Sequence, residues 1–313
     1  MKPVGKKEMI KICTLYYKEG KTQEEISSFF GFSRFKISRL LKEARSSGLV
    51  TIKINDPMGE AIELEVKLAK KFDLEQAVVT STNDVNEGMG LDRIGEAGAH
   101  YLAGILNRTR IFGVAWGRSV YHVVKNVQPL EISDITVVQI AGGMRAIEGT
   151  DANALTMILG QKLKGRAHGL PAPVIVRDRE TRDTLLREKE IHEALSIARK
   201  ADAALFGIGL PGEGGVLYSA GFIDKKTARE LKKAGAAGAV CGRFFDINGH
   251  PCPNDLDDRI IGLDLDELKR IKRKIGIAAS RQKIKAIMGA LRGGLLDVLV
   301  TDEETAVGLL AKS

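Results

Sequence analysis

The sequence predicts an α/β protein in two parts: a small all-α unit at the front, joined to a doubly wound, mostly parallel sheet. Three observations carry this. From residue 76 onward, short β-rich apolar runs recur: QAVVT (76–80), RIFGVAW (110–116), ITVVQIA (135–141), APVIV (172–176), ALFGIG (204–209), IGIAA (275–279) and DVLVT (297–301). Helical patterns such as 93–106, 153–163 and 283–292 lie between most of them, and strand–helix alternation implies a parallel sheet covered on both faces. The first fifty residues read instead as three short helices. Charge is uneven as well. Residues 1–60 carry 12 Lys and Arg against 7 Asp and Glu, a large part of the net +8 of all 313 residues. Such a concentration points to an anionic partner for that segment, with a well-solvated N-terminus as the alternative.

The first helix spans about 6–19, with Met9, Ile10, Ile12, Cys13 and Tyr16 at helical spacing, and Gly20 ends it. Thr22 to Glu25 form a capping box, in which the Thr22 hydroxyl and the Glu25 carboxylate each satisfy the other's backbone amide. Ile26, Phe29 and Phe30 give the second helix its apolar face. Gly31 turns the chain, and Ser33 caps a third helix in which Ile37, Leu40, Leu41 and Ala44 face inward. Phe35, Arg39 and Lys42 then project from the opposite side, flanked by Lys36 and Ser38. VTIKIND (50–56) alternates as a half-buried strand, and Asp56 to Gly59 punctuate a linker before a helix over 59–72 carrying Ile62, Val66, Leu68 and Ala69. The domains expected are therefore 1–56, a linker helix within 57–75, and 76–313.

Helix, turn, helix and strand are the sequence form of a winged helix-turn-helix. Residues 34–45 hold Arg34, Lys36, Arg39, Lys42 and Arg45 with one acid, Glu43. A helix fits the major groove of double-stranded DNA, where outward side chains meet base edges and neighbouring cations meet phosphates. The candidate DNA-binding residues are Thr22, Gln23, Ser33, Arg34, Phe35, Lys36, Ser38, Arg39 and Lys42. Phe35 has two readings, packing on Phe32 or contact with a thymine methyl. A unit this small binds weakly alone, so the larger part is expected to supply oligomerisation.

Parallel sheets bind ligands beyond the carboxyl ends of their strands. Those ends are marked here by GVAWGRS (113–119), QIAGG (139–143), GIGLPG (207–212) and AASRQK (278–283). Glycine permits close backbone approach, and Arg118, Arg281 and Lys283 add charge, so a small anionic guest is expected. The candidate effector residues are Gly117, Arg118, Ser119, Gly142, Gly143, Gly209, Arg281 and Lys283. Taken singly, the glycines also read as plain turn residues and Trp116 as core.

Gly207-x-Gly209-x-x-Gly212 matches the dinucleotide fingerprint only formally, because EGGVLYSAGF, which follows, reads as turn and then strand rather than helix. The five histidines show no metal spacing, and no nucleophile–base pair stands out, so no catalytic residue, metal or cofactor is expected. Cys13, Cys241 and Cys252 form no C-x-x-C pair. With no apolar run of about 18 residues and no export-type leader, a cytoplasmic protein without membrane partners is expected.

The chain resembles the SorC-type sugar-binding transcriptional regulators of bacteria. SRFKISRLLKEARSSGLV (33–50), GVAWGRS (113–119), VVQIAGG (137–143), LPAP (170–173), FGIGLP (206–211), CGRFFDINGH (241–250) and the stretch from Lys283 to Ala306 with ALRGG and DVLVTDE carry the resemblance, in that order. It implies a winged helix-turn-helix joined to a phosphosugar-isomerase/CoA-transferase-like domain, assembly as a homodimer or homotetramer, and a phosphorylated sugar or related effector. Two positions depart from the family pattern. Ala239 stands where an acidic residue is common, and Ala279-Ser280 stand where two glycines usually precede the lysine. The rival reading is a sugar-phosphate-acting enzyme with an accessory N-terminal domain; Ala239 removes its most obvious carboxylate.

Overall fold

The computed structural model describes residues 5–50, 61–81, 87–132, 134–144 and 151–312. The chain divides into two compact units, Met1–Pro57 and Met58–Ser313.

The first unit holds α1 (Lys6–Tyr17), α2 (Gln23–Phe30) and α3 (Arg34–Ser46). Its core is small: Ile12, Cys13, Ile26, Ile37, Leu40, Leu41 and Ala44 are buried together, one apolar stripe from each helix. The helix boundaries follow from the local chemistry. Thr22 caps α2, its hydroxyl accepting from Glu25 N at 3.2 Å while Thr22 N donates to the Glu25 carboxylate at 2.8 Å. Gly31 ends α2 in the left-handed region at φ 65, which glycine adopts without steric cost. The Ser33 hydroxyl then accepts from Lys36 N and starts α3. Phe29, expected on the buried face of α2, is instead 76% exposed. Ile26 and Phe30 fill that face, and Phe29 touches only the edge of the Phe30 ring. The strand expected over 50–56 lies outside the described residues from position 51 on.

The second unit opens with α4 (Ala61–Phe72), the helix expected in the 57–75 linker. Ala61, Leu64 and Leu68 are buried in this unit's own core, whereas Ile62 and Val66 are 55% and 64% exposed. There follow β1 (Gln76–Thr80), α5 (Glu87–Ile105), β2 (Ile111–Val114), α6 (Arg118–Asn126), β3 (Thr136–Gln139), α7 (Ala152–Lys162) and β4 (Arg166–His168). Next come α8 (Arg179–Arg187), α9 (Lys189–Ala198), β5 (Ala203–Gly207), α10 (Val216–Ser219), α11 (Lys225–Lys233), β6 (Gly238–Val240) and β7 (Arg243–Phe245). The chain closes with α12 (Leu265–Arg270), β8 (Arg273–Ile277), α13 (Ile284–Arg292), β9 (Val298–Asp302) and α14 (Glu303–Leu310).

Seven strands form one parallel sheet in the order β1-β9-β8-β5-β2-β3-β4, and β6 and β7 pair as a separate antiparallel hairpin. Side chains alternate across the sheet with the period of two that a strand imposes. In β5, Ala204 and Phe206 face one core while Ala203 and Leu205 face the other. Helices α4, α9, α12, α13 and α14 cover the first face and α5, α6 and α7 the second. A third cluster, around Leu217, Leu231, Phe244 and Ile260, packs the hairpin and α10–α11. The chain leaves β2 toward β3 and β4, then returns to place β5 on the other side of β2. This pair is a topological switch point, where the two loops diverge and open a crevice.

Two strand expectations are corrected. APVIV (172–176) is not a sheet strand. It makes isolated bridges at Pro173 to Gly143 and at Ile175 to Ile260, because Pro171 and Pro173 have no N–H to donate to a ladder. The short β4 takes the sheet edge instead. The segment after Gly212, expected as turn and strand, contains the four-residue α10.

One stability outcome follows. Thr22→Ala removes both the hydroxyl acceptor and the reciprocal capping box. It should destabilise α2 by about 1 kcal/mol, read as faster amide hydrogen exchange across residues 23–30 of the full chain.

Candidate effector site and nucleic-acid interface

At the carboxyl ends of β2, β5 and β8 the second unit encloses a cavity of about 210 Å3. At roughly 30 Å3 per water, that is room for a small metabolite and too little for a dinucleotide. The loop after β2 contributes Trp116, Gly117, Arg118 and Ser119, the loop after β5 Gly207 to Leu210, and the loop after β8 Ala279, Ser280, Gln282 and Lys283. The β6–β7 hairpin closes it with Ala239 and Cys241, and α10 adds Val216 and Leu217.

Charge in this cavity has one sign. Arg118 and Lys283 line it, and no Asp, Glu or His is among the described lining residues. Desolvation, followed by the positive charge of Arg118, lowers the Lys283 pKa from its ordinary 10.5 to about 8. Two cations held together without a carboxylate leave a site electrostatically unfinished until an anion enters. Gly117 begins α6 at φ 137, ψ 154, a conformation reserved for glycine. It thereby aims the first turn of α6, whose amides lack intrahelical partners, at the cavity. Ser119, 8% exposed, is a buried hydroxyl on the wall. Trp116 Nε1 is a buried donor with no acceptor among the described residues.

The cavity does not support catalysis by its own side chains. Besides the serines and Lys283, Cys241 is the nucleophile type in the described lining, and burial pushes its thiol up to about 12, so it stays protonated. Ala239, buried on β6, brings no carboxylate to the wall.

Five of the eight expected effector residues come together here: Gly117, Arg118, Ser119, Gly209 and Lys283. Gly209 lines the wall, but its N–H and C=O are both bonded to Ala239, at 2.8 and 3.0 Å, so its backbone serves the hairpin rather than a ligand. Gly142 and Gly143 lie outside the lining. Gly142 N donates to Ile261 O, and a Cβ there would stand 2.5 Å from Pro173 O, so this glycine lets two backbones cross. Arg281 turns away from the cavity and pairs with Glu304 at 2.9 Å. The sequence does not single out Gln282, Ile208, Leu210 or Cys241 as effector residues; it marks Ser280 only as standing where the family usually has glycine, and Trp116 only as core. The glycine usual at position 280 is the one sign of its backbone angle, and a lone tryptophan reads as core.

On the first unit, Arg34, Arg39 and Lys42 are exposed on α3, and none pairs with a carboxylate among the described residues. Lys36 is half-buried, its Nζ 3.6 Å from the centre of the Phe32 ring. Phe32 also stacks on Phe30, so Phe35 is left without that partner and is 83% exposed. Of the two readings of Phe35, packing on Phe32 is ruled out. Ser38 is half-buried beside Arg39. Thr22 and Ser33 spend their hydroxyl lone pairs on capping, and Gln23 stands half-buried at the start of α2.

The family described as "Putative sugar-binding domain" matches residues 56–311. The sorbitol operon regulator of Klebsiella pneumoniae is 33% identical over 306 residues, covering 96% of this chain and 97% of that protein. The deoxyribonucleoside regulator of Bacillus subtilis is 30% identical over 303 residues, covering 96% of each. The crystal structure of the full-length Klebsiella regulator aligns with a TM-score of 0.77 over 97% of this chain and 98% of that one. The residues that enclose the cavity, the parallel sheet and these similarities agree: the chain belongs to the SorC family of sugar-binding transcriptional regulators and is a DNA-binding regulator under effector control, not an enzyme.

Proposed function

We propose that a small anionic metabolite, a phosphorylated sugar, occupies the cavity of the second unit and sets how tightly α3 binds operator DNA. The observation that carries this is the pair of cations, Arg118 and Lys283, with no carboxylate among the described lining residues. A dianionic phosphate supplies the missing charge, and its sugar oxygens match the neutral donors Ser119 and Trp116 Nε1. Relatives named for sorbitol and for deoxyribonucleosides support a carbohydrate skeleton. Residues 1–56 act as the DNA-binding domain and 76–313 as the effector domain. The regulator works in the cytoplasm as a homodimer or homotetramer, since one small helical unit buries too little surface to select an operator alone. The exposed Ile62 and Val66 on α4 suit a surface covered by another copy.

On the DNA side, Arg34, Phe35, Lys36, Ser38, Arg39 and Lys42 form the groove-facing surface, with Thr22, Gln23 and Ser33 at the backbone-contacting helix starts. Arg39→Ala should weaken operator binding by about tenfold, the size of one lost charged contact, while oligomeric state and circular dichroism stay unchanged. A gel shift at fixed salt decides it, and unaltered affinity would remove α3 from the groove.

On the effector side, a thermal-shift screen against phosphorylated sugars should find a ligand. At 100 times its dissociation constant it contributes about 2.7 kcal/mol, a rise of roughly 5–10 °C for a unit of this size. Promoter DNA added in the same screen should oppose or reinforce the shift, because coupling between sites is reciprocal.

The Lys283 shift fixes a pH dependence and its sign. Between about pH 8 and 10.5 the empty folded protein holds Lys283 neutral, whereas the unfolded chain keeps it protonated. Stability should therefore rise with pH through that window as the penalty of a buried charge is relieved. Anion binding behaves oppositely. It requires the ammonium, so affinity is full below about pH 8 and should fall by about tenfold per pH unit above it. Calorimetry at pH 9 in two buffers of different ionisation heat should register uptake of close to one proton per site. Proton-neutral binding there would exclude Lys283 as the anion's partner.

A further inference from the structure

Ser280 is held in a backbone conformation that no side chain favours, φ 119 and ψ 137. Four non-glycine residues among those described have positive φ. Asp73 and Lys164, both at φ 53, follow the ends of α4 and α7, where a left-handed residue is an ordinary helix ending. Cys241, at φ 52, turns the β6–β7 hairpin within the same left-handed basin. Ser280 alone lies beyond it, in territory otherwise open only to glycine, and it lines the effector cavity.

The surroundings dictate that conformation. Ser280 N donates to Thr305 Oγ1 at 2.9 Å, and Thr305 is fully buried, its own amide fixed on Asp302 Oδ1 at 2.7 Å. The Ser280 carbonyl accepts from Lys283 N at 2.9 Å, and the Ser280 hydroxyl oxygen accepts from Gln282 N at 3.3 Å. The backbone groups and one lone pair are therefore spent within the protein. What remains is the hydroxyl proton, on an exposed side chain at the cavity wall, three residues from the ammonium-bearing Lys283. A glycine would meet every one of the backbone demands without strain. A side chain tolerated against that strain has to be accounted for by what it touches.

We infer that Ser280 is a specificity-determining residue for the effector. Its hydroxyl donates to an oxygen on the ligand's carbon skeleton, a hydroxyl or carbonyl, beside the anionic group that Arg118 and Lys283 attract. This rests on the reading of the cavity as an anionic-sugar site and adds to it the part that tells one guest from another. Two full charges already serve any small anion, so they discriminate poorly between an inorganic phosphate and a sugar phosphate. A neutral donor fixed at one point discriminates well, because a guest without the matching oxygen leaves it unpaired.

The test uses the full-length protein and calorimetric titration with hexose, pentose and alditol phosphates and with inorganic phosphate. Three variants accompany the wild type: Ser280→Ala, Ser280→Gly and Lys283→Met. The wild type should prefer at least one sugar phosphate over inorganic phosphate. Both Ser280 variants should bind that sugar phosphate about tenfold more weakly, the loss of one hydrogen bond, with inorganic phosphate affinity held within about twofold. Ser280→Gly should also melt no lower than the wild type, since it relieves strain, which separates a binding loss from a folding defect. Lys283→Met should weaken both ligands together. An unchanged ratio of sugar phosphate to phosphate affinity in the two Ser280 variants overturns the inference and leaves the anion site standing; Ser280 is then only the cap of the turn at 281–283. A wild type that binds neither ligand, or a Lys283→Met variant that binds both normally, overturns the anion site and this inference with it.

Discussion

Everything in the second unit turns on the placement of two like charges. Lys283 is desolvated next to Arg118, and no carboxylate in the described lining answers either of them. Such an arrangement costs free energy in the empty protein, and only a rigid frame sustains it. The frame is the parallel sheet. Arg118 opens the helix after β2 and Lys283 follows β8, so the two are brought together across β5 at the point where the strand order reverses. The crevice there exists because the chain leaves β2 in one direction and returns on its other side. Gly117 is indispensable to this geometry, since at φ 137 it is what turns the chain from strand to helix and points Arg118 and Ser119 at the same space as Lys283. An anion repairs the imbalance, which is the differential interaction an effector needs if it is to favour one state of a regulator over another.

The same charge arrangement argues against chemistry. A sugar-phosphate enzyme needs a group that can take and return a proton near neutral pH. The lining offers an alanine at 239, a thiol held protonated by burial and two cations. Lys283, lowered to about 8, comes nearest to a usable base, but next to Arg118 its readiest role is to pair with charge that enters from outside. Binding without turnover suits a sensor, because a consumed effector would reset the signal at the rate of catalysis rather than at the rate of metabolism.

The first unit applies a parallel logic at its surface. Among the described residues its core contains seven buried side chains, so local devices add to its stability: the Thr22–Glu25 box, the Gly31 turn and the Ser33 cap. These fix the angle between α2 and α3 with little hydrophobic help. The outer face of α3 is left with Arg34, Arg39 and Lys42 outside any ion pair among the described residues and with Phe35 in solvent. Exposed cations cost nothing in water, and they release condensed counterions when they meet a phosphate backbone, which makes the affinity steeply dependent on salt. The two sites thus use opposite conditions for the same end. Under the proposed function, burial makes the cavity selective for a small anion, and exposure makes the helix adhesive to a large one.

How much of this was legible in the sequence depends on the range of the interactions involved. The caps of α2 and α3 were legible because each is settled within four residues, and the central strands because their apolar runs are continuous. APVIV misled because its β-rich composition outweighed Pro173 and the preceding Pro171, whose missing donors forbid a ladder. The hairpin β6–β7 escaped notice because its strands are three residues long and its partner, Gly209, is distant in the chain. The cavity was half legible for the same reason. Glycines at strand ends flag crevices, and Gly117 meets that expectation through its dihedral angle. Gly142 carries the same sequence signal while serving a backbone crossing at Pro173. Composition cannot separate these two uses of glycine, since each depends on what approaches from elsewhere in the fold. Ser280 shows the converse. The family's usual glycine at its position is the one hint the sequence offers, and its amide is held by Thr305, twenty-five residues on. A residue whose conformation is set by a distant partner is understood from the fold rather than from its neighbours in the chain.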